Sequence, residues 1–224
     1  MNCPERLTGV NYFALEHTVK VANLYLLILR ECQKHNITIK SFKGDHSTRY
    51  EYQFRAVSSG KTIKRYIMPD AELNIEINGG TGYTIWIEYD RGTEYSQDVA
   101  IKYMKYFEHY DQIIEKQNWY PIILFITENT KQRLNNLVVK DENYDGEWEW
   151  HNSNKSYKNV VLKGVSMADN IRNMNSNATR FLSNPNRFLF IDYASFKDKG
   201  FTSDLLNLNA EQVKLIDVLK LKAK

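Results

Sequence analysis

The chain has 224 residues, of which 42% are hydrophobic and 25% are charged, proportions that exclude a disordered chain and allow a buried core. Its 30 basic and 27 acidic residues give a formal charge of +3, too small to indicate nucleic-acid binding by itself. Cys3 and Cys32 show no metal-ligand spacing, and the N-terminus lacks the apolar stretch of a signal peptide. We therefore expect a cytoplasmic protein with reduced thiols and no membrane-spanning segment.

The first third of the chain predicts one helix and two strands. Apolar residues at three- and four-residue spacing predict a helix over residues 14–34. Its predicted core-facing stripe consists of Val19, Ala22, Leu26 and Leu29. Aromatic residues among alternating charges predict a strand over 48–57, and a turn at 58–60 leads to another short strand over 64–68.

Strict alternation of apolar and polar residues follows, which is typical of a half-buried β-hairpin. Residues 71–77 alternate in this way, and residues 83–89 alternate again after a Gly-rich loop at 78–82. In both segments the odd-numbered residues form the apolar face. The two segments therefore pair as antiparallel strands with that face towards the core.

The remaining elements complete an α/β chain. Ser96 is the predicted N-cap of an amphipathic helix that runs to about residue 116. The continuous apolar run 121–127 predicts a central strand covered on both faces. The further predicted elements are a helix over 128–138, a polar loop over 140–158, strands over 159–165 and 187–193, and a final helix over 210–224 capped by Asn209.

This order predicts a single domain over residues 1–224, in which helices pack on a mixed, mainly antiparallel sheet. Its core is expected over residues 14–127, with a C-terminal elaboration over 128–224.

Four carboxylates flank the predicted hairpin on its polar face. They are Asp70, Glu72, Glu88 and Asp90. If Ile77 lies opposite Tyr83, Asp70 faces Asp90 and Glu72 faces Glu88. Directly opposed like charges on a sheet cost about 0.2–1 kcal/mol per pair. A divalent cation would reverse that penalty. The pattern therefore leaves two interpretations open, a solvated acidic face or a metal site.

Lys102 lies near this hairpin end in the predicted helix over 96–116. The apolar stripe of that helix consists of Val99, Tyr103, Tyr106, Phe107, Tyr110, Ile113 and Ile114. Lys102 falls at the margin of the stripe, so its ammonium can reach the acidic end, whereas Lys105 points away. A boundary lysine and a catalytic or charge-balancing lysine both explain this position.

Three runs of sequence carry a resemblance to a known family. They are IMPDAEL at 67–73, IWIEYDRGTE at 85–94 and KYMKY at 102–106. A Pro-Asp before a hairpin and a Glu-x-acid after it resemble the PD-(D/E)XK nuclease superfamily. The longer pattern resembles the plasmid replication-relaxation family, and His17 in the first helix also fits that family.

The resemblance implies a restriction-endonuclease-like core and a metal-dependent DNA endonuclease acting in replication or transfer of a plasmid or other mobile element. Asp70, Glu88 and the carbonyl of Tyr89 would bind Mg²⁺ or Mn²⁺, and Asp90 and Lys102 would complete the catalytic set. The supporting residues would be Glu72, Arg91, Glu94, His17 and Tyr106. The implied partners are DNA and a replication or mobilisation protein. The alternative is a non-catalytic DNA-binding or assembly factor on the same fold.

The sequence departs from the family at two points. The superfamily usually has a lysine two residues after the Glu, where this chain has Asp90, so Lys102 is the candidate for a relocated lysine. Members of the narrower family commonly carry a winged-helix segment, and about a dozen residues precede the first predicted helix here. We therefore expect sequence-specific recognition to come from elsewhere or from a partner.

Overall fold

The computed structural model describes residues 12–44, 47–55, 61–77, 80–91, 96–117, 119–128, 184–209 and 211–220. Within these ranges the helices are α1 (Tyr12–Lys34), α2 (Ser96–Gln117), α3 (Tyr193–Lys199) and α4 (Leu215–Lys220). The strands are β1 (Ile37–Gly44), β2 (Tyr50–Arg55), β3 (Thr62–Ile67), β4 (Ala71–Ile77), β5 (Thr81–Asp90), β6 (Ile122–Thr127), β7 (Phe188–Asp192), β8 (Asp204–Asn207) and β9 (Gln212–Lys214). None of the described helices is both long and apolar enough to cross a bilayer.

Seven strands form one mixed sheet in the order β1-β4-β5-β6-β7-β8-β9. β1, β4 and β5 pair antiparallel, β5, β6 and β7 pair parallel, and β7, β8 and β9 return to antiparallel pairing. β2 and β3 form a separate antiparallel hairpin. The predicted mixed α/β class is confirmed, because helices flank a mainly antiparallel sheet.

The two faces of the sheet are buried by different elements. Apolar side chains of α1, α3 and α4 pack on one face, where they meet the odd-numbered residues of β4 and β5. α2 and the β2–β3 hairpin cover the other face with an aromatic cluster that includes Trp86, Tyr103 and Phe107. β6 is buried along its whole length, as its continuous apolar run predicts. The hairpin alternation therefore directs Glu88 towards α2 and Tyr89 towards α1.

The predicted inner face of α1 is wrong. The side chains that pack on the sheet are Val21, Leu24, Ile28 and Cys32, whereas Val19 and Leu26 are 49% and 59% exposed. The helix carries two apolar stripes at helical spacing, so periodicity alone does not identify the one that meets the sheet. The helix itself is confirmed and begins two residues earlier than predicted.

The C-terminal segment also differs from the prediction. Residues 212–214 form the edge strand β9 against β8, and only residues 215–220 are described as helix. The sequence pattern does not reveal β8, the strand with which this segment forms its ladder hydrogen bonds. Sequence analysis also missed β1, β8 and α3. The predicted turn at 58–60, the loop over 140–158, the strand over 159–165 and nearly all of the helix over 128–138 lie outside the described residues.

Candidate active site

The candidate site lies where the start of β4 meets the end of β5, between α1 and α2. Ile77 pairs with Thr81, Glu72 with Trp86, and Ala71 with Ile87. Continuing this register by one residue places Asp70 opposite Glu88. The predicted register was therefore wrong by two residues. The turn is tighter than its glycines indicated, since the Gly80 N–H already bonds the Ile77 carbonyl at 3.3 Å.

Asp70 is held by α1 and by the end of β5. One carboxylate oxygen lies 3.1 Å from Nε2 of His17, and the other accepts a hydrogen bond of 2.7 Å from the Tyr89 N–H. His17, predicted through the family resemblance alone, therefore does contact Asp70.

Pro69 ends the ladder between β4 and β5 beside Asp70. Pro69 would lie opposite Tyr89 in the ladder, but it has no N–H to donate. In an antiparallel pair the N–H and the carbonyl of one residue face the same neighbouring strand. Because the Tyr89 N–H faces Asp70, the Tyr89 carbonyl also points to that side, where the proline offers it no ladder donor. The Tyr89 carbonyl, predicted as a metal ligand, therefore lies on the same edge of β5 as the N–H that bonds Asp70.

Glu88 is buried, with 2% exposure, on the α2 side of the sheet. Its carboxylate accepts a hydrogen bond from the Tyr106 hydroxyl, and the Lys102 ammonium lies 3.2 Å from its other oxygen. Burial raises the pKa of the Glu88 carboxyl to about 7, while Lys102 opposes the rise and the Asp70 carboxylate adds to it. Two acidic groups therefore lie close together beside one lysine.

These donors fit a hard divalent cation. Mg²⁺ in proteins is typically bound by one or two carboxylates, with water completing its coordination. Asp70 and Glu88 supply two carboxylates, and the Tyr89 carbonyl lies on the edge of β5 next to Asp70. Across the described ranges, no group of three or more His, Cys, Asp and Glu side chains is arranged to hold a metal ion. A cation at this position would therefore depend on the two carboxylates, the carbonyl and water.

Glu72, predicted as a supporting residue, has other partners. It is buried and accepts hydrogen bonds from side chains of four residues. These are Lys43 at 2.8 Å, Asn74 at 3.0 Å, Trp86 at 2.9 Å, and Tyr50. Burial alone would raise the pKa of Glu72, but these donors outweigh it and lower the pKa to about 2. Glu72 is therefore an ionised carboxylate whose charge is compensated by its partners, and its role is structural.

Asp90 faces β6 and is buried. Its carboxylate accepts from the Thr127 hydroxyl at 3.0 Å, and its backbone carbonyl accepts from the Glu128 N–H at 2.8 Å. The structure therefore brings together Asp70 and Glu88, and not the predicted row of four carboxylates.

The rim of the site is an ion-pair network that contains the predicted supporting residue Arg91 together with three residues that sequence analysis missed. Arg91 pairs with Glu16 of α1 at 2.6 Å, and Lys20 contacts Glu128 at 2.6 Å. Glu128 also accepts a hydrogen bond of 2.7 Å from the Tyr89 hydroxyl. The signal in the sequence was the i, i+4 spacing of Glu16 and Lys20, which lie 3.1 Å apart. Glu94, predicted to support the site, lies outside the described residues.

No protein-family model matches this sequence, and neither a curated protein nor a solved structure shows significant similarity to it. The residues of the candidate site themselves therefore carry the evidence for function.

Proposed function

We propose that this protein is a metal-dependent DNA endonuclease whose site is formed by Asp70, Glu88 and Lys102. The observation that carries the proposal is the convergence of these residues from three separate elements. Lys102 comes from α2 and lies 3.2 Å from Glu88, although fourteen residues separate the two in sequence. Two acids beside one lysine are the groups that the family resemblance implies for phosphodiester hydrolysis.

The order of elements supports the same proposal. The superfamily core consists of a helix, a β-meander, a helix and a further strand. Here α1 precedes three antiparallel neighbours, β1, β4 and β5, and α2 then connects β5 to the parallel strand β6. The β2–β3 hairpin is an insertion between the first two strands of this series.

Each side chain has a role in this proposal. Asp70 and Glu88 would hold Mg²⁺ or Mn²⁺ together with the Tyr89 carbonyl. The bound cation would supply charge neutralisation at the scissile phosphate and a bound water of lowered pKa. Lys102 would orient the attacking water and stabilise developing negative charge, since its ammonium is already fixed beside Glu88. His17 and Tyr106 would fix the orientations of Asp70 and Glu88.

The biological setting of this activity is the part of the proposal that lies furthest from the site geometry. A role in replication or transfer of a plasmid or other mobile element, and a replication or mobilisation protein as partner, follow from the family resemblance alone. A cytoplasmic location is likewise part of the proposal, and the composition supports it. DNA as substrate has the additional support of the site chemistry.

The test is cleavage of supercoiled, linear and single-stranded DNA with Mg²⁺ or Mn²⁺ by the full chain. We expect cleavage by the wild type, and loss of cleavage in Asp70→Asn and in Lys102→Ala. The matched controls are Asp204→Asn and Lys197→Ala, which change exposed residues on β8 and α3 and should cut normally.

The result separates the two functions that the sequence left open. Cleavage that requires the cation, Asp70 and Lys102 supports the nuclease. DNA binding without cleavage under every condition would instead assign the protein to the non-catalytic alternative. Cleavage that survives both substitutions would place the active site elsewhere.

A further inference from the structure

Two exposed side chains and one half-buried side chain form a group beside the β2–β3 hairpin, which we call the hairpin platform. They are Arg49, Tyr66 and Lys105. Tyr66 is 44% exposed and Arg49 is 55% exposed. The Arg49 guanidinium lies 4.3 Å from the centre of the Tyr66 ring, and the Lys105 ammonium lies 5.7 Å from it. One ring therefore positions two cations by cation–π contact.

The platform adjoins the candidate active site through two elements. Tyr66 precedes Asp70 by four residues, which span at most about 14 Å of extended chain. Lys105 follows Lys102 by three residues of α2, a rise of about 4.5 Å along the helix. α2 thus directs one lysine to Glu88 and another to the platform.

The local charge favours a polyanionic ligand. Lys64 lies beside the platform and forms an ion pair with Glu51, and Glu51 also lies 3.5 Å from the Arg49 guanidinium. Two cations therefore contact this acid, which is itself exposed. A phosphate group reaching the platform would compete with the Glu51 carboxylate for cations that Tyr66 already holds in position.

We propose that the hairpin platform binds the sugar-phosphate backbone of DNA, within about four nucleotides of the cleaved bond at a rise of about 3.4 Å per nucleotide. This inference rests on the proposed nuclease function. Arg49 and Lys105 contact phosphates, and Tyr66 is a positioning residue that aligns them. The insertion of β2 and β3 into the sheet series thereby gives the protein a substrate-binding surface.

The test measures binding of a fluorescent DNA duplex by anisotropy, with the full chain in EDTA so that the DNA stays intact. Arg49→Ala and Lys105→Ala should each weaken binding about threefold to tenfold. Each should also reduce the slope of log affinity against log salt by roughly one, because one phosphate contact is lost. Lys197→Ala, which changes an exposed lysine of α3, is the matched control and should bind like the wild type.

Two further variants distinguish positioning from general damage. Tyr66→Ala should weaken binding as much as the loss of both cations, whereas Tyr66→Phe keeps the ring and should bind normally. Glu51→Gln removes the competing carboxylate and should tighten binding about twofold to fivefold by the same electrostatic reasoning.

Each outcome of these experiments either supports or overturns the inference. DNA binding that is unchanged in the Arg49, Tyr66 and Lys105 variants would overturn the platform, while metal-dependent cleavage by the same preparations would leave the nuclease standing. Competition by polyglutamate as strong as that by unlabelled DNA would assign the platform to acidic protein instead. A wild type that neither binds nor cuts DNA would overturn both proposals.

Discussion

Two glutamates on the same face of the sheet have opposite environments. Glu72 of β4 and Glu88 of β5 are both buried and both face the α2 side. Four side-chain donors bond Glu72, and its pKa falls to about 2. Among the described residues, the donors to the Glu88 carboxylate are Tyr106 and Lys102, and its pKa rises to about 7. Both carboxylates are shielded from solvent, but Glu88 is the more deeply buried of the two and has fewer hydrogen-bond donors.

The comparison indicates which buried carboxylate is available for chemistry. A carboxylate with a full set of hydrogen-bond donors stabilises the folded state, because these bonds offset the free-energy cost of removing it from water. An incompletely neutralised carboxylate costs stability and gains most from an added cation. Strongly perturbed groups of the second kind cluster at functional sites. Glu88 therefore belongs to the proposed active site, and Glu72 supports the sheet beside it.

The largest expected effect is on cleavage. Glu88→Gln keeps the shape of the side chain but removes its negative charge, so we expect metal-dependent cleavage to fall by about 10³-fold or more. Glu72→Gln should leave the cleavage rate within about threefold, because the hydrogen bonds of Glu72 are to residues other than Asp70, Glu88 and Lys102. The measurement is the rate of supercoiled DNA cleavage, with circular dichroism to establish that both variants fold. Equal inactivity of two folded variants would contradict the comparison.

The pattern of residues predicted part of this arrangement. Period-two alternation assigned the faces of β4 and β5, so Glu72 and Glu88 were expected on one polar face. The helical angle of Lys102 predicted its reach to the acidic end. Both signals are local, because each concerns a single strand or helix. Contacts with distant elements therefore do not alter them.

The distinction between the two glutamates was not predictable in the same way. It depends on the register, which a tight turn shifted by two residues, and on donors from elements distant in sequence. Lys43 lies on β1, a strand that the sequence pattern did not reveal, and Tyr50 belongs to the separate hairpin. A pairing partner that lies far along the chain leaves no periodic signal. The same reason explains why the strand β9 was predicted as helix.

The next expected effect is on stability at low pH. The pKa of Glu72 is lower in the folded protein than the ordinary 4.5, so the unfolded chain binds more protons between pH 4.5 and 2. The stabilisation by Glu72 is therefore complete above pH 4.5 and is lost as the pH falls through 2. It corresponds to roughly 3 kcal/mol. Urea unfolding from pH 6 to 2 should show this loss in the wild type.

Glu72→Gln should lack that pH-dependent contribution, and Glu76→Gln provides the matched control. Glu76 lies on the same strand and pairs with Lys40 of β1 at 2.9 Å, but it is only half-buried. The Glu76 variant should keep the pH dependence of the wild type. An unchanged loss of stability in Glu72→Gln would show that Glu72 is not the group responsible.

The smallest expected effects come from removing one tyrosine hydroxyl that donates a hydrogen bond to each glutamate. Tyr106→Phe removes a donor from Glu88 and should reduce cleavage about tenfold to a hundredfold, the usual cost of losing a partner that orients a metal ligand. Tyr50→Phe removes one of four donors from Glu72, so it should cost about 1 kcal/mol of unfolding free energy and leave cleavage unchanged. Cleavage rates at saturating Mg²⁺ and urea unfolding of both variants make the comparison. If Tyr50→Phe impaired cleavage as much as Tyr106→Phe, the two carboxylates would act as one site, and the division between a structural and a catalytic glutamate would fail.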